Sequence, residues 1–482
     1  MNGSCFEAAA RSRTKITATI GPASRDVRTL AAMIEAGASV FRLNFAHGTH
    51  DEHSENVRAI REASAATDRP TAILQDLGGP KIRLGEIAGG VVSCPLEAEF
   101  ELVDSIDPPL NPHSLTCTYS DLPGDLSIGD SVLFADGAVA MRVVAATPNR
   151  AVLRVVQPGA LKSHQGINLP GAKLKIPALT AKDLEDLDWA ADHQIEYVGQ
   201  SFVRSADDVS WLRDELAKRR SRSKIVAKIE KPEAVDHLDE ILCQTDAIMV
   251  ARGDLGVEMD VARVPAAQKR IIAACRRDAI PVITATQMLT SMQKSPRPTR
   301  AEASDVFNAV LDGTDAVMLS EETAVGAYPV DAVSMMRRIA LEAEALLATT
   351  RQQAGRTDHE GGVSAITAAV VEAASLACVR LNASLIVVAT RSGKTALAIS
   401  KQRHPTPTLA LADDPFVVRG MALYWGVTPL FAPIEEPEEA LAIARDWARA
   451  HDLLHSGDRV VLIRGVIPGQ QIHNALFIDQ MP

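Results

Sequence analysis

Eight short apolar runs, each followed by a helix-length amphipathic stretch, limit what this chain can fold into more than any other feature of its sequence. Alternating strands and helices build a parallel sheet, because each parallel neighbour requires a crossover connection. Eight such units predict an α/β fold, a (β/α)₈ TIM barrel, rather than an open doubly wound sheet, since no G-x-G-x-x-G follows the first run. The predicted strands span residues 15–20, 38–43, 71–77, 196–202, 224–229, 246–251, 281–286 and 315–319.

Helix starts are signalled between several of these strands. A hydroxyl residue followed three positions later by an acidic residue has the spacing of a capping box, which satisfies free N–H groups at a helix N-terminus. We therefore expect helices to begin at three such pairs, namely Thr180 with Asp183, Ser205 with Asp208, and Thr299 with Glu302.

About 120 residues separate the third predicted strand from the fourth, far more than a βα connection needs. Within this gap, β-type runs such as 131–134 and 138–144 are joined by turn signals such as Asp136-Gly137. An inserted small β domain, β-barrel-like and placed as a lid on a barrel loop, is therefore predicted over residues 80–177. The barrel itself would then comprise residues 1–79 and 178–347.

A further α/β pattern follows the barrel and predicts a third domain over residues 348–482. The polar segment 351–362 is interpreted as a linker or connecting loop. Strands are predicted at residues 385–389, 408–411, 428–431 and 459–464.

The composition supports three folded domains and argues against some classes of binding partner. The chain has 482 residues, 46% of them hydrophobic, and 50 Lys and Arg against 61 Asp and Glu, a net charge of −11. That balance argues against nucleic acid or an anionic membrane as a general partner. We find no signal-peptide core, no membrane-length apolar run and no C-x-x-C pair among six cysteines, so we expect a soluble cytoplasmic protein with reduced thiols.

Polar residues collect where the predicted barrel strands end, which is where barrel enzymes place their reacting groups. Any barrel needs some polar groups there, so each residue alone has a structural explanation, but the whole set points at one cavity. The set comprises Arg42, Asn44, His47, Asp76, Ser201, Lys228, Glu230, Asp254, Thr286, Gln287, Ser320, Glu321 and Glu322.

These residue types indicate phosphoryl transfer on a small acidic substrate. Glu230 and Asp254 form an oxygen-only pair that suits Mg²⁺ or Mn²⁺ rather than Zn²⁺. Arg42, Arg83 and Lys228 add positive charge, which a transferring phosphoryl group requires. A plain salt bridge between Lys228 and Glu230 is the alternative, and it is weakened because residues two apart on a strand face the same side.

A turn in the last domain offers a second phosphate site. Thr390, Arg391, Ser392, Gly393, Lys394 and Thr395 lie between a predicted strand and a predicted helix. The run is not a P-loop, because Val388 stands where the first glycine of G-x-x-x-x-G-K-[ST] would fall. Backbone N–H groups and a helix dipole could still bind phosphate there, with an ordinary strand-to-helix turn as the alternative.

From Thr14 to its end the chain resembles the pyruvate kinase family. The resemblance rests on ordered blocks that include KITATIGP, RLNFAHG, GPKIR, NLPG, KIE, ATQML and PRPTRAE, together with residues 249–256. So many blocks in the family's order exclude chance similarity. The family's architecture, a barrel with an inserted lid and a C-terminal regulatory domain, agrees with the layout predicted from pattern.

The resemblance implies phosphoryl transfer from phosphoenolpyruvate to ADP, giving pyruvate and ATP. Lys228 would stabilise the phosphoryl group in flight, and Glu230 and Asp254 would hold Mg²⁺ or Mn²⁺. Thr286, or a water held through Ser320, would protonate the enolate. The remaining implied contacts are Arg42 on the substrate phosphoryl, Gly253, Asp254 and Thr286 on its carboxylate, and Asn44, His47 and Arg83 on the nucleotide.

Departures from the commonest family pattern imply activity without K⁺. Members that need K⁺ carry Ser at the position of Ala46, Thr at Leu77, Lys at Gly78 and Glu at Lys81, whereas this chain, with Leu84, matches the members that do without it. The Lys81 ammonium would substitute for the monovalent cation. Two further departures have no assigned consequence, namely Gln165 for a common lysine and Glu321 for a common glycine.

Regulation and assembly are also implied only by the resemblance. The turn 390–395 corresponds to the effector phosphate loop of regulated members, with a sugar phosphate or nucleotide monophosphate as activator and residues 466–474 as the partner loop. Family members are usually homotetramers. Two rival functions stay open, a metal-dependent carbon–carbon lyase that acts on a pyruvate enolate and a non-catalytic metabolite sensor.

Overall fold

The structure is a computed structural model that describes residues 12–104, 113–172, 174–350, 363–434, 437–465 and 474–481. The predicted linker 351–362 and nearly all of the loop 466–474 lie outside the described residues.

The first part of the chain supplies three barrel strands and two helices, and then the lid. Its elements are β1 (Lys15–Thr19), α1 (Val27–Ala36), β2 (Ala38–Asn44), α2 (His50–Ala66) and β3 (Ala72–Asp76). The lid follows with β4 (Val91–Cys94), β5 (Glu99–Val103), β6 (Ser114–Leu115), α3 (Leu122–Asp125), β7 (Ser131–Phe134), β8 (Val139–Thr147), β9 (Arg150–Gln157), β10 (Gly159–Lys162) and β11 (Ile167–Asn168).

The second part of the barrel continues the strand and helix alternation. It comprises α4 (Ala181–Asp192), β12 (Tyr197–Gln200), α5 (Ala206–Lys218), β13 (Lys224–Ile229), α6 (Pro232–Asp236), α7 (Leu238–Leu242), β14 (Ala247–Ala251), α8 (Arg252–Glu258), α9 (Val264–Arg277), β15 (Val282–Ala285), α10 (Arg300–Asp312), β16 (Ala316–Leu319), α11 (Glu321–Ala324) and α12 (Pro329–Thr350). Short 3₁₀ turns occupy Val261–Arg263 and Thr290–Gln293.

The C-terminal domain is an α/β unit. Its elements are α13 (Ala365–Leu381), β17 (Leu385–Ala389), α14 (Lys394–Lys401), β18 (Thr408–Ala412), α15 (Pro415–Gly420), a 3₁₀ turn (Met421–Leu423), β19 (Val427–Phe431), α16 (Pro437–Ala450), β20 (Arg459–Arg464) and β21 (Ala475–Gln480).

The eight predicted barrel strands are confirmed within two residues at each end. They pair in parallel and close into a barrel in the order β1-β16-β15-β14-β13-β12-β3-β2. The lid interrupts the chain between β3 and β12, which are neighbours in the barrel. Buried apolar side chains fill the space between the barrel and its helices, and a second core continues from the inside of the barrel into the C-terminal domain.

The inserted segment has a core and sheets of its own. Its strands form a six-stranded sheet in the order β11-β7-β8-β9-β5-β6 and a two-stranded sheet of β10 and β4. Turn residues produce the predicted β7–β8 hairpin, since Ala135, Asp136 and Gly137 all have positive φ.

The C-terminal domain packs against the end of the barrel where the strands begin. Its sheet has the order β19-β18-β17-β20-β21, and the last strand, antiparallel to β20, was not predicted from the sequence. The Tyr197 hydroxyl, at the start of β12, donates a hydrogen bond of 2.5 Å to the Gly420 carbonyl. The opposite end of the barrel, where the strands finish, is therefore left to the lid.

Two of the three predicted capping boxes are present. Thr180 with Asp183 and Thr299 with Glu302 cap α4 and α10. Ser205 is the N-cap of α5, so the predicted helix start is confirmed, but its side chain makes no capping hydrogen bond. Asp208 instead accepts from the backbone N–H of Arg204, at 2.9 Å, and pairs with its guanidinium. None of the helices in the described ranges is long and apolar enough to cross a membrane.

Candidate active site

The barrel and the lid enclose a cleft at the C-terminal ends of the strands. The space between them is about 630 Å³, part of which is open to bulk solvent, and both parts of the chain line it. The lid contributes Pro80, Lys81 and Asn168 among others, and the barrel contributes Asp254 and Glu258. The predicted strand-end residues lie at this end of the barrel because all eight strands run in parallel.

Lys228 is the centre of a buried charge cluster at the barrel mouth. Its ammonium contacts Glu230 at 2.7 Å and Asp76 at 3.1 Å, and it donates to the Ser201 hydroxyl at 2.7 Å. Burial alone would lower the pKa of Lys228, but the carboxylates of Asp76 and Glu230 raise it above its ordinary value. The side chain is therefore a fixed positive charge. The salt bridge that was the alternative interpretation of Lys228 and Glu230 does form, and it lies at the barrel mouth.

Asp76 joins Lys228 to the second cation of the site. Its other carboxylate oxygen accepts from Arg42 Nε at 2.6 Å, and the guanidinium also donates to the Thr19 hydroxyl at 3.3 Å. Burial of Asp76 would raise the pKa of its carboxyl, but Lys228 and Arg42 hold that pKa below its ordinary value. One carboxylate thus holds two positive groups side by side.

The two carboxylates proposed as metal ligands suit a hard divalent cation. Burial and the negative charge of Asp254 raise the pKa of Glu230, against the opposing effect of Lys228. A cation bound between the two would relieve this repulsion, and carboxylate oxygens are ligands that Mg²⁺ prefers. Within the described ranges no three His, Cys, Asp or Glu side chains gather into a metal site, so substrate and water would complete the coordination.

Thr286 connects the end of β15 to the start of α8. Its hydroxyl donates to the Ala285 carbonyl and accepts from the Gly253 N–H, both at 2.7 Å. Both Thr286 and Gln287 have positive φ, which is unusual for residues with a Cβ. Arg252 supports this backbone by donating to the Thr286 carbonyl at 2.8 Å. The structure thus brings Gly253, Asp254 and Thr286 together.

Ser320 is fixed by its backbone. Its N–H donates to Glu322 at 2.7 Å, and the other oxygen of this buried carboxylate accepts from the Leu289 N–H at 2.9 Å. Glu322 therefore ties the loops after β15 and β16 together. Glu321, the departure from a common glycine, points away from this pair and hydrogen-bonds Gln293.

The residues expected on the nucleotide side are less closely grouped. Asn44 accepts from the Ala46 N–H at 3.2 Å, and His47 is exposed with its carbonyl accepting from His53 Nε2 at 2.9 Å. The Arg83 guanidinium donates to the lid carbonyl of His164 at 3.4 Å. Arg83 therefore belongs to the lid.

Lys81 also lies on the cleft surface. It is exposed, lines the cleft and has its Cε near Gly166, with no ion pair to another described residue. The neighbouring Leu77 is buried, and the segment at Gly78 approaches the backbone of Ala46.

The turn 390–395 mixes buried and exposed groups. Thr390 and Thr395 are buried, whereas Arg391, Ser392 and Lys394 are exposed. Gly393 takes φ of +80° at the N-cap of α14, and its N–H donates to the Thr390 hydroxyl at 3.1 Å.

Two residues of the site carry more than sequence reasoning assigned to them. Asp76 was identified only as a strand-end polar residue, yet it holds both Arg42 and Lys228. Glu322 was identified in the same way, yet it fixes Ser320. The signal available was an acidic residue next to an apolar strand, which predicts burial and hence a partner but does not identify that partner.

Two family profiles match the chain. The profile described as pyruvate kinase, barrel domain, matches residues 11–333, and that described as pyruvate kinase, alpha/beta domain, matches residues 368–478. A pyruvate kinase of Geobacillus stearothermophilus is 43% identical over 463 residues, which cover 95% of this chain and 78% of that protein.

Two further relatives agree. Pyruvate kinase 2 of a Synechocystis species is 41% identical over 469 residues, with 95% of this chain and 77% of that protein covered. A crystal structure of a pyruvate kinase from Cryptosporidium parvum superposes with a TM-score of 0.90 at 35% identity, covering 98% of this chain and 97% of that one.

Proposed function

The chain belongs to the pyruvate kinase family and is a phosphotransferase, and from that premise we propose that it transfers the phosphoryl group of phosphoenolpyruvate to ADP, giving pyruvate and ATP. The observation that carries the residue assignment is the buried cluster in which Asp76 holds Arg42 and Lys228 at the barrel mouth. Catalysis of phosphoryl transfer consists largely of positioning and neutralising charge, and fixed cations supply both.

Each step of the reaction is assigned to residues at the barrel mouth. Arg42 binds the phosphoryl group of phosphoenolpyruvate, and Lys228 stabilises its charge while the bond to the enol oxygen breaks and the bond to the ADP β-phosphate forms. The Gly253 N–H and the Thr286 hydroxyl, which bond each other at 2.7 Å, turn to the substrate carboxylate. The enolate then takes a proton on carbon from Thr286 or from a water held through Ser320.

Glu230 and Asp254 are the residues that would hold Mg²⁺ or Mn²⁺. When bound, the ion supplies positive charge that neutralises and orients the substrate oxygens. Phe202 fixes one ligand for this role, because its N–H donates to Glu230 at 2.8 Å.

A coupled assay for pyruvate from phosphoenolpyruvate and ADP tests the proposal, with Lys228→Met as the partner variant. We expect activity with Mg²⁺ or Mn²⁺ and a loss of kcat of about a hundredfold or more in the variant. Absence of wild-type activity, with and without sugar phosphates, would overturn the assigned reaction. Equal activity in a folded variant would overturn only the role of Lys228. A carbon–carbon lyase would need neither Lys228 nor the lid.

The reaction is proposed to run without K⁺. Ala46 offers no hydroxyl, and the buried Leu77 offers an apolar side chain where a K⁺ site would need oxygen ligands. Lys81 lines the cleft and brings an ammonium instead. Titration with KCl at constant ionic strength is expected to leave the rate unchanged, and a rise of about tenfold or more would contradict this. Lys81→Met is expected to lower the rate.

Allosteric activation through residues 390–395 is proposed as well. The exposed Arg391, Ser392 and Lys394, next to a glycine N-cap, support binding of a phosphate group there. We expect a sugar phosphate or a nucleotide monophosphate to lower KM for phosphoenolpyruvate. Lys394→Met should abolish the response without changing the activity measured in the absence of effector.

A homotetramer is the proposed assembly. Apolar side chains are exposed on α13, among them Leu376 and Val379, and on the neighbouring β21, namely Phe477 and Ile478, and exposed apolar surface favours association. Light scattering should then give about four times the chain mass of 51.5 kDa.

A cytoplasmic location is proposed from the five described cysteines, all of which are free thiols.

A further inference from the structure

The lid is attached to the barrel by two chain crossings, and Asp183 joins both. One oxygen of this buried carboxylate accepts from the N–H of Gly79, where the chain leaves the barrel, at 3.1 Å. The other accepts from the N–H and hydroxyl of Thr180, where the chain returns, at 2.8 and 2.6 Å. Asp183 therefore ties the two crossings to each other, and contacts beyond these crossings set the position of the lid over the cleft.

In the cleft between lid and barrel, a lid side chain contacts a buried ion pair of the barrel. Asn168, at the end of β11, donates from Nδ2 to Glu258 Oε1 at 3.2 Å. The other Glu258 oxygen contacts the Lys231 ammonium, also at 3.2 Å. The Glu258 side chain is 3% exposed and that of Lys231 is 11% exposed. All three residues line the cleft.

The position of this pair links the lid to the elements that carry the proposed metal ligands. Lys231 directly follows Glu230, and Glu258 lies one turn after Asp254 on α8. The backbone also holds the lid, since Arg204 donates to the Leu174 carbonyl at 3.2 Å. That second contact does not depend on a lid side chain, so Asn168 is the lid residue through which a substitution can act.

We propose that Glu258, held by Lys231, is a positioning residue that anchors the lid over the cleft through Asn168. The anchor maintains the lid position in which nucleotide binds, and it takes no part in bond making or breaking. Because the pair is buried, removal of either charge leaves the other without compensation, so the anchor is either intact or lost. The proposal rests on the proposed function for its kinetic readout, but not for its measurement of lid position.

Asn168→Asp tests the anchor with almost no change in shape. A carboxylate at this position faces Glu258, and like charges in a buried site repel strongly. We expect the lid to populate the anchored position less, which raises KM for ADP about fivefold while kcat changes by less than about twofold. Hydrogen exchange of the ligand-free protein should become faster in the lid segments 77–84 and 166–180 and stay unchanged in α9 and α10.

Rescue by a second substitution separates anchoring from general damage. In Asn168→Asp with Glu258→Gln, the amide and the carboxylate have changed places, so the hydrogen bond between the two positions and the net charge of the cluster are kept, and the new amide oxygen at position 258 can still accept from Lys231. We expect KM and lid exchange to return to within about twofold of wild type. The matched control is Lys218→Met, which removes the exposed partner of Glu215 on α5, leaves Glu215 paired with Arg219 and should change neither readout.

Three results would overturn the proposal. These are unchanged lid exchange in Asn168→Asp, failure of the double variant to restore it, or equal loss of kcat and kcat/KM in the single variant. If Asn168→Asp does not fold, Asn168→Ala replaces it, with the same direction expected in both readouts. An inactive wild-type enzyme would count against the proposed reaction, while the exchange measurements would still decide the anchor.

Discussion

At the scale of single residues, Asp76 decides how positive charge is arranged in the site. It is 1% exposed and lies between Arg42 and Lys228, whose charges hold the pKa of its carboxyl low despite its burial. Without it, the two cations would repel each other in a poorly solvated place. Its role is to bring together two groups that would otherwise separate.

Asp76→Asn should therefore impair catalysis, although the two side chains have almost the same size. We expect kcat/KM for phosphoenolpyruvate to fall about tenfold or more and the unfolding free energy to fall by about 3 kcal/mol, since a buried pair loses one charge. Asp312→Asn removes a carboxylate that pairs with Lys269 on the outer helices and serves as control. Steady-state kinetics that match wild type in Asp76→Asn would contradict the assignment.

His53 makes stability depend on pH. It is buried against Phe45, with ring centroids 4.0 Å apart, and burial lowers the pKa of its imidazole from its usual value. The folded state thus binds a proton less readily than the unfolded state, whose pKa is about 6.5. Stability contributed by the neutral ring is complete above that value and is lost as the pH falls below it.

Urea unfolding at about pH 7.5 and pH 5.5 tests this sign. We expect the unfolding free energy to be smaller at the lower pH, and His53→Gln to reduce that difference because glutamine does not titrate. His451→Gln, which changes a more exposed ring just after α16, should show the full wild-type difference. The same pH difference in His53→Gln would exclude His53 as a source.

At the scale of elements, sequence patterns predicted the strands better than the contacts between them. All eight barrel strands follow from apolar runs, because a buried parallel strand must be apolar on both faces. The capping box at Ser205 does not form, because the Asp208 carboxylate bonds the backbone N–H and the guanidinium of Arg204 instead. The last strand, β21, was missed because its Phe477 and Ile478 are half exposed, so it lacks a buried pattern.

For the candidate site, the sequence likewise predicted the positions of residues better than the contacts between them. Residues at strand ends follow from the topology, so Arg42, Lys228 and Asp254 were predicted to lie at the barrel mouth, and their roles there stay predictions. The contacts of Asp76 with Arg42 and Lys228, and of Glu258 with Asn168, join elements that are far apart in the chain. The spacing of residues in the sequence does not predict such contacts.

Gly21 illustrates such a contact between elements, β1 and α11. A Cβ at this position would lie 2.4 Å from the Ala324 carbonyl oxygen, so Gly21→Ala must displace α11 and with it Glu322. We expect a loss of about 1–3 kcal/mol in unfolding free energy and a lower kcat. Gly256→Ala, whose Cβ would make only ordinary contact, is the control and should be neutral or slightly stabilising. Equal behaviour of the two variants would contradict the clash.

At the scale of the whole molecule, buried charges attach the C-terminal domain to the barrel. Asp315, just before β16, contacts Lys401 at 2.7 Å and Arg403 at 2.9 Å, and all three side chains are less than 5% exposed. Glu196, just before β12, likewise forms ion pairs with Arg61 of the barrel and Arg419 of the C-terminal domain. Such buried pairs align the domains because a small displacement leaves a charge without a partner.

Asp315→Asn is expected to weaken the joint between the domains. Lys401 and Arg403 would stay buried without their carboxylate, which costs about 3–5 kcal/mol. Calorimetry should show the C-terminal domain unfolding before the barrel. Arg222→Met breaks an exposed contact with Asp414 across the same boundary and should cost less than about 1 kcal/mol. A single unshifted transition in Asp315→Asn would contradict this account.

The position of the lid in the chain also governs the order in which a nascent chain can fold. The barrel partner of Leu74 is Tyr197, and that of Lys15 is Ala316. Ribosomes add about 5–20 residues per second, so the first three strands wait roughly 6–24 seconds for their next neighbour and longer for the last. The lid has its own core and emerges during that interval. It can therefore be complete while the barrel is still an open sheet, and the barrel closes last around a finished insertion.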